Sequence, residues 1–299
     1  MKRSVSMSVG LLLLGLTAIT PVDRTEAQES PEIAEGPGKM LLQDTRVGQS
    51  RPLRVWYYRP RGFAPDSRIL FVMHGLGRNA NGYRDAWIPH AEKYNVLLIV
   101  PEFSRLHFPD DEQYNLGNMI AKDGRPVPRE EWSFAVIDRV FAHVRDATKT
   151  NRKTYSIFGH SAGAQFVHRL LTFTKTIQVE MAVAANAGWY TLPLFSEPFP
   201  YGLGGTSLAE TDLRENFAKR LVILLGDADT NPNNKDLRRT SEAMRQGKHR
   251  FARGQHYFRV SEAEAKRLGA DFAWRLATAP GVGHSNKQMS EHAARVMFR

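Results

Sequence analysis

Short, nearly continuous apolar runs punctuate the chain, and between them apolar positions recur every three or four residues. The runs Leu53–Tyr58, Ile69–Met73, Val96–Val100, Thr154–Phe158, Met181–Asn186, Leu221–Leu225 and Phe272–Ala277 predict strands. Several show no polar alternation, as expected of strands covered on both faces in a mostly parallel sheet. The segment Glu130–Asp146 places Phe134, Ile137, Val140, Phe141 and Val144 on one helical face, and Ala162–Thr172 and Glu262–Leu268 carry similar stripes. Alternating β and α elements through residues 51–299 predict one α/β domain, a mostly parallel sheet flanked by helices.

Residues 1–27 stand outside this pattern. Lys2 and Arg3 precede an apolar stretch, Val9–Ile19, and Thr25-Glu26-Ala27 ends on a small residue. Such a stretch is too short to cross a bilayer, which takes about 20 residues. It has the layout of a cleavable signal peptide, with a secreted or periplasmic product and no stable membrane insertion after cleavage. An uncleaved N-terminal anchor is the alternative. Residues 28–50, polar with Pro and Gly, read as an N-terminal arm.

Composition narrows the chemistry. The 299 residues are 42% hydrophobic and 24% charged, as in ordinary globular proteins. Cysteine is absent, which excludes disulfides, a thiol nucleophile, Cys-ligated zinc and iron–sulfur clusters. The formal net charge is +10, and removing residues 1–27 lowers it only by one. A basic excess of this size points toward an acidic partner without specifying it.

One motif stands in an informative context. The strand-like Thr154–Phe158 runs into Gly159-His160-Ser161-Ala162-Gly163, and an apolar helical pattern follows. This is G-x-S-x-G between strand and helix, a turn that lifts the serine hydroxyl above the strand end. A hydroxyl needs a base to take its proton and an acid to orient that base. On this scaffold the acid and then the base follow the serine in sequence. Leu221–Leu225 ends in Gly226-Asp227-Ala228-Asp229, offering two carboxylates at a strand end. Asp229 lies farther out, within reach of a loop from another strand, and is preferred; Asp227 is the alternative acid. Of the ten histidines, His284 alone sits in a glycine-containing loop after the last expected strand. The acidic loop also aligns Asp227, Asp229 and Asn231 with the first ligands of a calcium loop. Pro232 and Arg238 then occupy the positions where that motif needs Gly and Glu, so it fails. No metal or cofactor is called for.

Two backbone N–H groups complete the arrangement. Ile69–Met73 ends in His74-Gly75-Leu76-Gly77-Arg78, where glycines allow close approach to a substrate oxygen. The Leu76 and Ala162 amides are the candidate oxyanion donors.

Through His74-Gly75, the Gly159–Gly163 elbow, Gly226–Asp229 and Gly283-His284 the sequence resembles the α/β-hydrolase superfamily. Within it, the likeness is greatest to secreted esterases of the polyhydroxybutyrate-depolymerase and feruloyl-esterase type, a scaffold that polyaspartate hydrolases share. The resemblance implies Ser161 as nucleophile, Asp229 as orienter and His284 as base, with residues 51–299 as the catalytic domain. Unlike many of those enzymes, this chain has no cysteine and no recognisable appended binding domain.

Substrate clues are coarser. Trp189 and Tyr190 follow an expected strand and are candidates for an aromatic wall, and the loop from Glu102 to Gly117 leaves another on the same side. Residues 235–259 hold eight Lys or Arg against two acids, an excess of six immediately after the acid loop. Arg238 and Arg239 there, with Arg78, are candidate contacts for a carboxylate-bearing substrate. The function expected is an exported serine hydrolase cleaving ester bonds, or amides, of an oligomeric or polymeric substrate through an acyl-enzyme. A poly(aspartic acid) hydrolase with a basic cleft is the second expectation. A non-catalytic polyanion-binding protein on the same fold is the third. No nucleic-acid recognition module is present, so no nucleic-acid partner is expected.

Overall fold

The computed structural model describes residues 33–44, 51–175 and 178–299. The expected signal peptide lies outside them. Eight strands form one sheet: β1 (Gly36–Asp44), β2 (Arg51–Arg59), β3 (Arg68–Met73), β4 (Val96–Glu102), β5 (Tyr155–His160), β6 (Val179–Ala185), β7 (Leu221–Gly226) and β8 (Arg275–Ala279). Their order is β1-β2-β4-β3-β5-β6-β7-β8. The β1–β2 and β2–β4 pairings are antiparallel, and every other pairing is parallel.

The continuous apolar runs have the expected cause. Along β3, Ile69, Phe71 and Met73 enter one core while Leu70 and Val72 enter another across the sheet. Successive side chains of a strand point to opposite faces, so a strand covered twice must be apolar throughout. One cover holds α1 (Ala80–Tyr94), whose Ala80, Tyr83, Trp87 and Ala91 are buried. On the other face lie α2 (Ser133–Thr148), α3 (Ala162–Phe173), α4 (Glu210–Phe217) and, beyond the short α5 (Ser241–Gln246), the long α6 (Arg250–Leu268). The last helix, α7 (Asn286–Phe298), joins α1 through Met289, Ala293 and Ala294.

Three sequence expectations change, and one helix went without any. Part of the arm 28–50 is β1, paired with β2 along its whole length, so that stretch belongs to the sheet. The last strand is Arg275–Ala279, not Phe272–Ala277; Phe272 packs beside Phe217 instead. Helix α1 was hidden by its charged residues and Pro89, because only four of its positions face the core. The short stripe at Glu262–Leu268 is the last third of α6, which starts at Arg250, where the His249 side chain accepts from Ala252 N–H.

Candidate active site

The carboxyl ends of β3, β5, β7 and β8 bring four loops together. Ser161 stands between β5 and α3 with φ 60° and ψ −118°, a conformation that costs a non-glycine residue about 1–3 kcal/mol. The neighbouring glycines allow it. A Cβ on Gly159 would come within 2.2 Å of Gly163 O, and one on Gly163 within 2.1 Å of Met73 O. Packing this tight between elbow and β3 leaves no room for a methyl group at either position.

His284 reaches Ser161 from the loop after β8. Its Nε2 lies 3.0 Å from Ser161 Oγ, and its Nδ1 lies 2.7 Å from Asp229 Oδ2. Asp229 is 5% exposed. Asp227 faces elsewhere: its Oδ1 accepts from Gly281 N–H at 2.6 Å, pinning the histidine loop at its start. Both candidate acids therefore serve the same loop, but only Asp229 touches the imidazole.

Asn186, at the end of β6 with φ 49°, was not singled out from the sequence. Its Oδ1 accepts from Gly226 N–H at 2.8 Å and its Nδ2 donates to Gly283 O at 3.0 Å. One buried amide thus fastens the end of β7 to the residue before His284. Arg250 is a second unforeseen neighbour. Its guanidinium is 3.6 Å from Asp229 Oδ1 and donates to Asn234 Oδ1 at 3.1 Å, placing a buried positive charge behind the acid.

The β3 loop supplies the other side. Buried His74 donates from Nδ1 to Gly75 O and accepts Phe103 N–H at Nε2, each at 3.1 Å. Burial pulls its pKa down to about 3, so it is a neutral brace for the loop. Leu76 and Ala162 N–H both border the cleft, and neither has an acceptor among the described residues. His160 is buried behind them, hydrogen-bonded through Nδ1 to the Tyr83 hydroxyl at 3.0 Å and 4.5 Å from the His284 ring.

These residues floor an open cleft of about 530 Å³. A hydroxyl, an imidazole and a carboxylate in hydrogen-bonded series, beside two unpaired N–H groups, can attack a carbonyl and stabilise the resulting oxyanion.

No protein-family model matches the chain, and no curated protein matches it. Solved structures do. Poly(aspartic acid) hydrolase-1 from Sphingomonas sp. KT-1 is 45% identical, with TM-score 0.85 over 89% of this chain and 99% of that one. The poly(3-hydroxybutyrate) depolymerase LpqC from Bordetella parapertussis is 38% identical, with TM-score 0.84 over 89% and 91%. The chain belongs to the α/β-hydrolase family. A siderophore hydrolase from Aspergillus nidulans, 13% identical with TM-score 0.52 over 94% and 98%, shares the fold.

As in other α/β hydrolases, loops beyond the strand ends decide what this cleft admits. Trp189 lines it, as do Arg238 and Lys235 from the basic segment. Tyr190 does not: it is fully buried, stacked on Tyr257 at 4.4 Å. Arg78 does not either. It is 7% exposed, donates to Phe103 O and Asp110 O, and lies 4.2 Å from the Tyr114 ring centre. Arg239 is exposed and turned onto Pro232 O. These three were expected at the substrate, but backbone carbonyls or ring packing already occupy their polar or flat surfaces. Elsewhere in the segment, Arg245 pairs with Glu197, and buried Arg253 donates to Gly188 O and Arg238 O. The aromatic residues Phe103, Phe108 and Tyr114 of the 102–117 loop belong to the core, while Asp111 and Asn115 border the cleft.

Proposed function

We propose that this α/β hydrolase is a serine hydrolase that cleaves an anionic polymer of the poly(aspartic acid) class through an acyl-enzyme. The hydrogen-bonded series Ser161–His284–Asp229, opening into a cleft walled by Lys235 and Arg238, carries the reading. The 45% identity to a poly(aspartic acid) hydrolase supports the same substrate class.

Ser161 Oγ attacks the scissile carbonyl carbon while His284 Nε2 takes its proton. Asp229 Oδ2 accepts the Nδ1–H, keeping the ring oriented and balancing the imidazolium. The carbonyl oxygen, now negative, accepts from the Leu76 and Ala162 N–H groups; such a donor contributes about 2.7–4 kcal/mol in the transition state. The tetrahedral adduct collapses as His284 returns the proton to the leaving amine, leaving Ser161 acylated. Water, deprotonated by His284, repeats the attack and frees the acid. An ester substrate follows the same steps with an alkoxide leaving group.

A neutral polyester is the second reading. It draws on the 38% identity to a poly(3-hydroxybutyrate) depolymerase and on Asp111 and Asp236, which put negative charge on the same cleft. Product release from soluble poly(aspartic acid) and from a polyhydroxybutyrate suspension, with Ser161→Ala as control, separates the two. Preferential cleavage of the anionic polymer, with KM rising as salt is added, is expected. Cleavage of the polyester alone would move the assignment to the second reading. A non-catalytic polyanion-binding role predicts no fluorophosphonate labelling that depends on Ser161. Export rests on residues 1–27 and is tested by the N-terminal residue of protein recovered outside the cytoplasm.

A further inference from the structure

One turn beyond Ser161 on α3, Gln165 is 7% exposed and borders the cleft. Four residues of helix advance about 6 Å, a distance that an extended polyamide covers in about two units. The orientation of its amide is imposed from below. Arg169 Nη1, which can only donate, lies 3.4 Å from Gln165 Oε1, and the same nitrogen donates to Asn115 O at 3.1 Å. That leaves Nε2 as the outer half of the amide, and it has no acceptor among the described residues. Nε2 packs beside Gly188, where an added Cβ would approach it to 3.1 Å, so glycine keeps this corner open.

Arg169 itself is unusual. It is fully buried, its Nε is spent on Thr191 Oγ1 at 2.8 Å, its Nη2 has no partner, and among the described residues no carboxylate is in ion-pair range. Burial disfavours its charge, and Asp111 on the cleft rim attracts it only through space. Its guanidinium lies 4.1 Å from the Trp189 ring centre, and that of half-buried Arg238 lies 4.8 Å from the same centre. Here the donor half is left over at the wall of a cleft that Arg238 also lines, above the buried charge of Arg169.

We propose that Gln165 Nε2 and Arg238, whose guanidinium lies over the buried Trp189 ring, form a subsite for the side-chain carboxylate of a polymer unit near the scissile bond, with Arg169 orienting the Gln165 amide. The carboxylate accepts from both donors. The subsite rests on the anionic-polymer reading and identifies where that polymer is told from a neutral one.

The test compares wild type, Gln165→Leu, Gln165→Glu and Arg238→Ala on poly(aspartic acid) and on a short neutral ester. Gln165→Leu is expected to raise KM for poly(aspartic acid) about tenfold with kcat changed less than about threefold. Gln165→Glu, which sets a carboxylate against the substrate and pairs with Arg169, is expected to raise it about a hundredfold. The ratio of kcat/KM for the polymer to that for the ester should fall by similar factors. If the buried Gln165 variants fail to fold, Arg238→Ala on the half-buried wall carries the same tenfold expectation. Wild type active on poly(aspartic acid), with KM unmoved in the variants or both substrates losing in proportion, would overturn the subsite and leave the function standing. Wild type inactive on poly(aspartic acid) would overturn both.

Discussion

Asp229 Oδ2 lies 2.7 Å from His284 Nδ1, while Asp227, two residues earlier in the same loop, holds Gly281 N–H at 2.6 Å. The first carboxylate orients the imidazole, and the second secures the loop that delivers it.

That division predicts unequal consequences. Asp229→Asn should lower kcat/KM on a short ester about 10⁴-fold, the scale seen when a triad acid loses its charge and the wrong imidazole tautomer is favoured. Asp227→Asn keeps an acceptor for Gly281 N–H and should cost less than about tenfold. Equal losses in steady-state kinetics would show that the two acids are not distinguished in solution.

Asn186 makes a second prediction. Replacement by Leu removes both hydrogen bonds that join Gly226 to Gly283 and strands the buried Gly226 N–H and the half-buried Gly283 O. A stranded buried group costs about 1–3 kcal/mol, and a half-buried carbonyl that water can reach adds little. Stability in urea should fall by an amount in that range, and kcat should drop by about tenfold or more because His284 is no longer held over Ser161. Full activity in a destabilised variant would assign Asn186 to the fold alone.

The elbow glycines act through space rather than chemistry. A methyl at Gly163 meets Met73 O at 2.1 Å, and both partners are backbone. Overpacking of this kind costs about 1–3 kcal/mol, so Gly163→Ala should lower Tm by about 3–10 °C for a domain of this size. The shift is read by calorimetry. Fluorophosphonate labelling of Ser161 should slow in parallel, since relief of the clash moves the elbow away from β3.

Acid should unfold this protein through its buried histidines. His74, His160 and His168 all have pKa values depressed by burial, and His74 and His168 spend both ring nitrogens on backbone groups. In the unfolded chain each titrates near 6.5. Below that pH the unfolded state binds protons that the native state refuses. The stability these groups provide is therefore present above about pH 6.5 and lost as pH falls toward their native values. Each contributes a slope of about 1.4 kcal/mol per pH unit, so about 4 kcal/mol per unit for the three once the unfolded imidazoles are charged. Urea unfolding at pH 7, 6 and 5 measures the slope, and a flat profile across that range would contradict it.

The sequence by itself determined whatever depends on neighbouring residues. Ile69–Met73 and Leu221–Leu225 are apolar throughout because both sides of those strands are covered, and that necessity is legible without a structure. The elbow is equally legible, since Gly159, Ser161 and Gly163 follow one another between strand and helix, although the crowding at Gly163 comes from Met73 in β3. The three side chains of the hydrogen-bonded series were therefore nameable, together with the strands that present them. Helix α1 was not, because four core contacts among charged residues and a proline leave too faint a stripe. The sequence preferred Asp229 over Asp227 only by position; which distant loop each carboxylate meets, His284 for one and Gly281 for the other, is a matter of tertiary structure. Tertiary structure also withdrew Arg78, Tyr190 and Arg239 from the cleft and placed Asn186, Arg250 and Gln165 at or behind it. Arg78 is turned away by Phe103 O, 25 positions on, and Asn186 reaches Gly283, 97 positions on. Side-chain chemistry is written locally, but the partner that gives it a role is chosen by how the sheet and its covering helices pack.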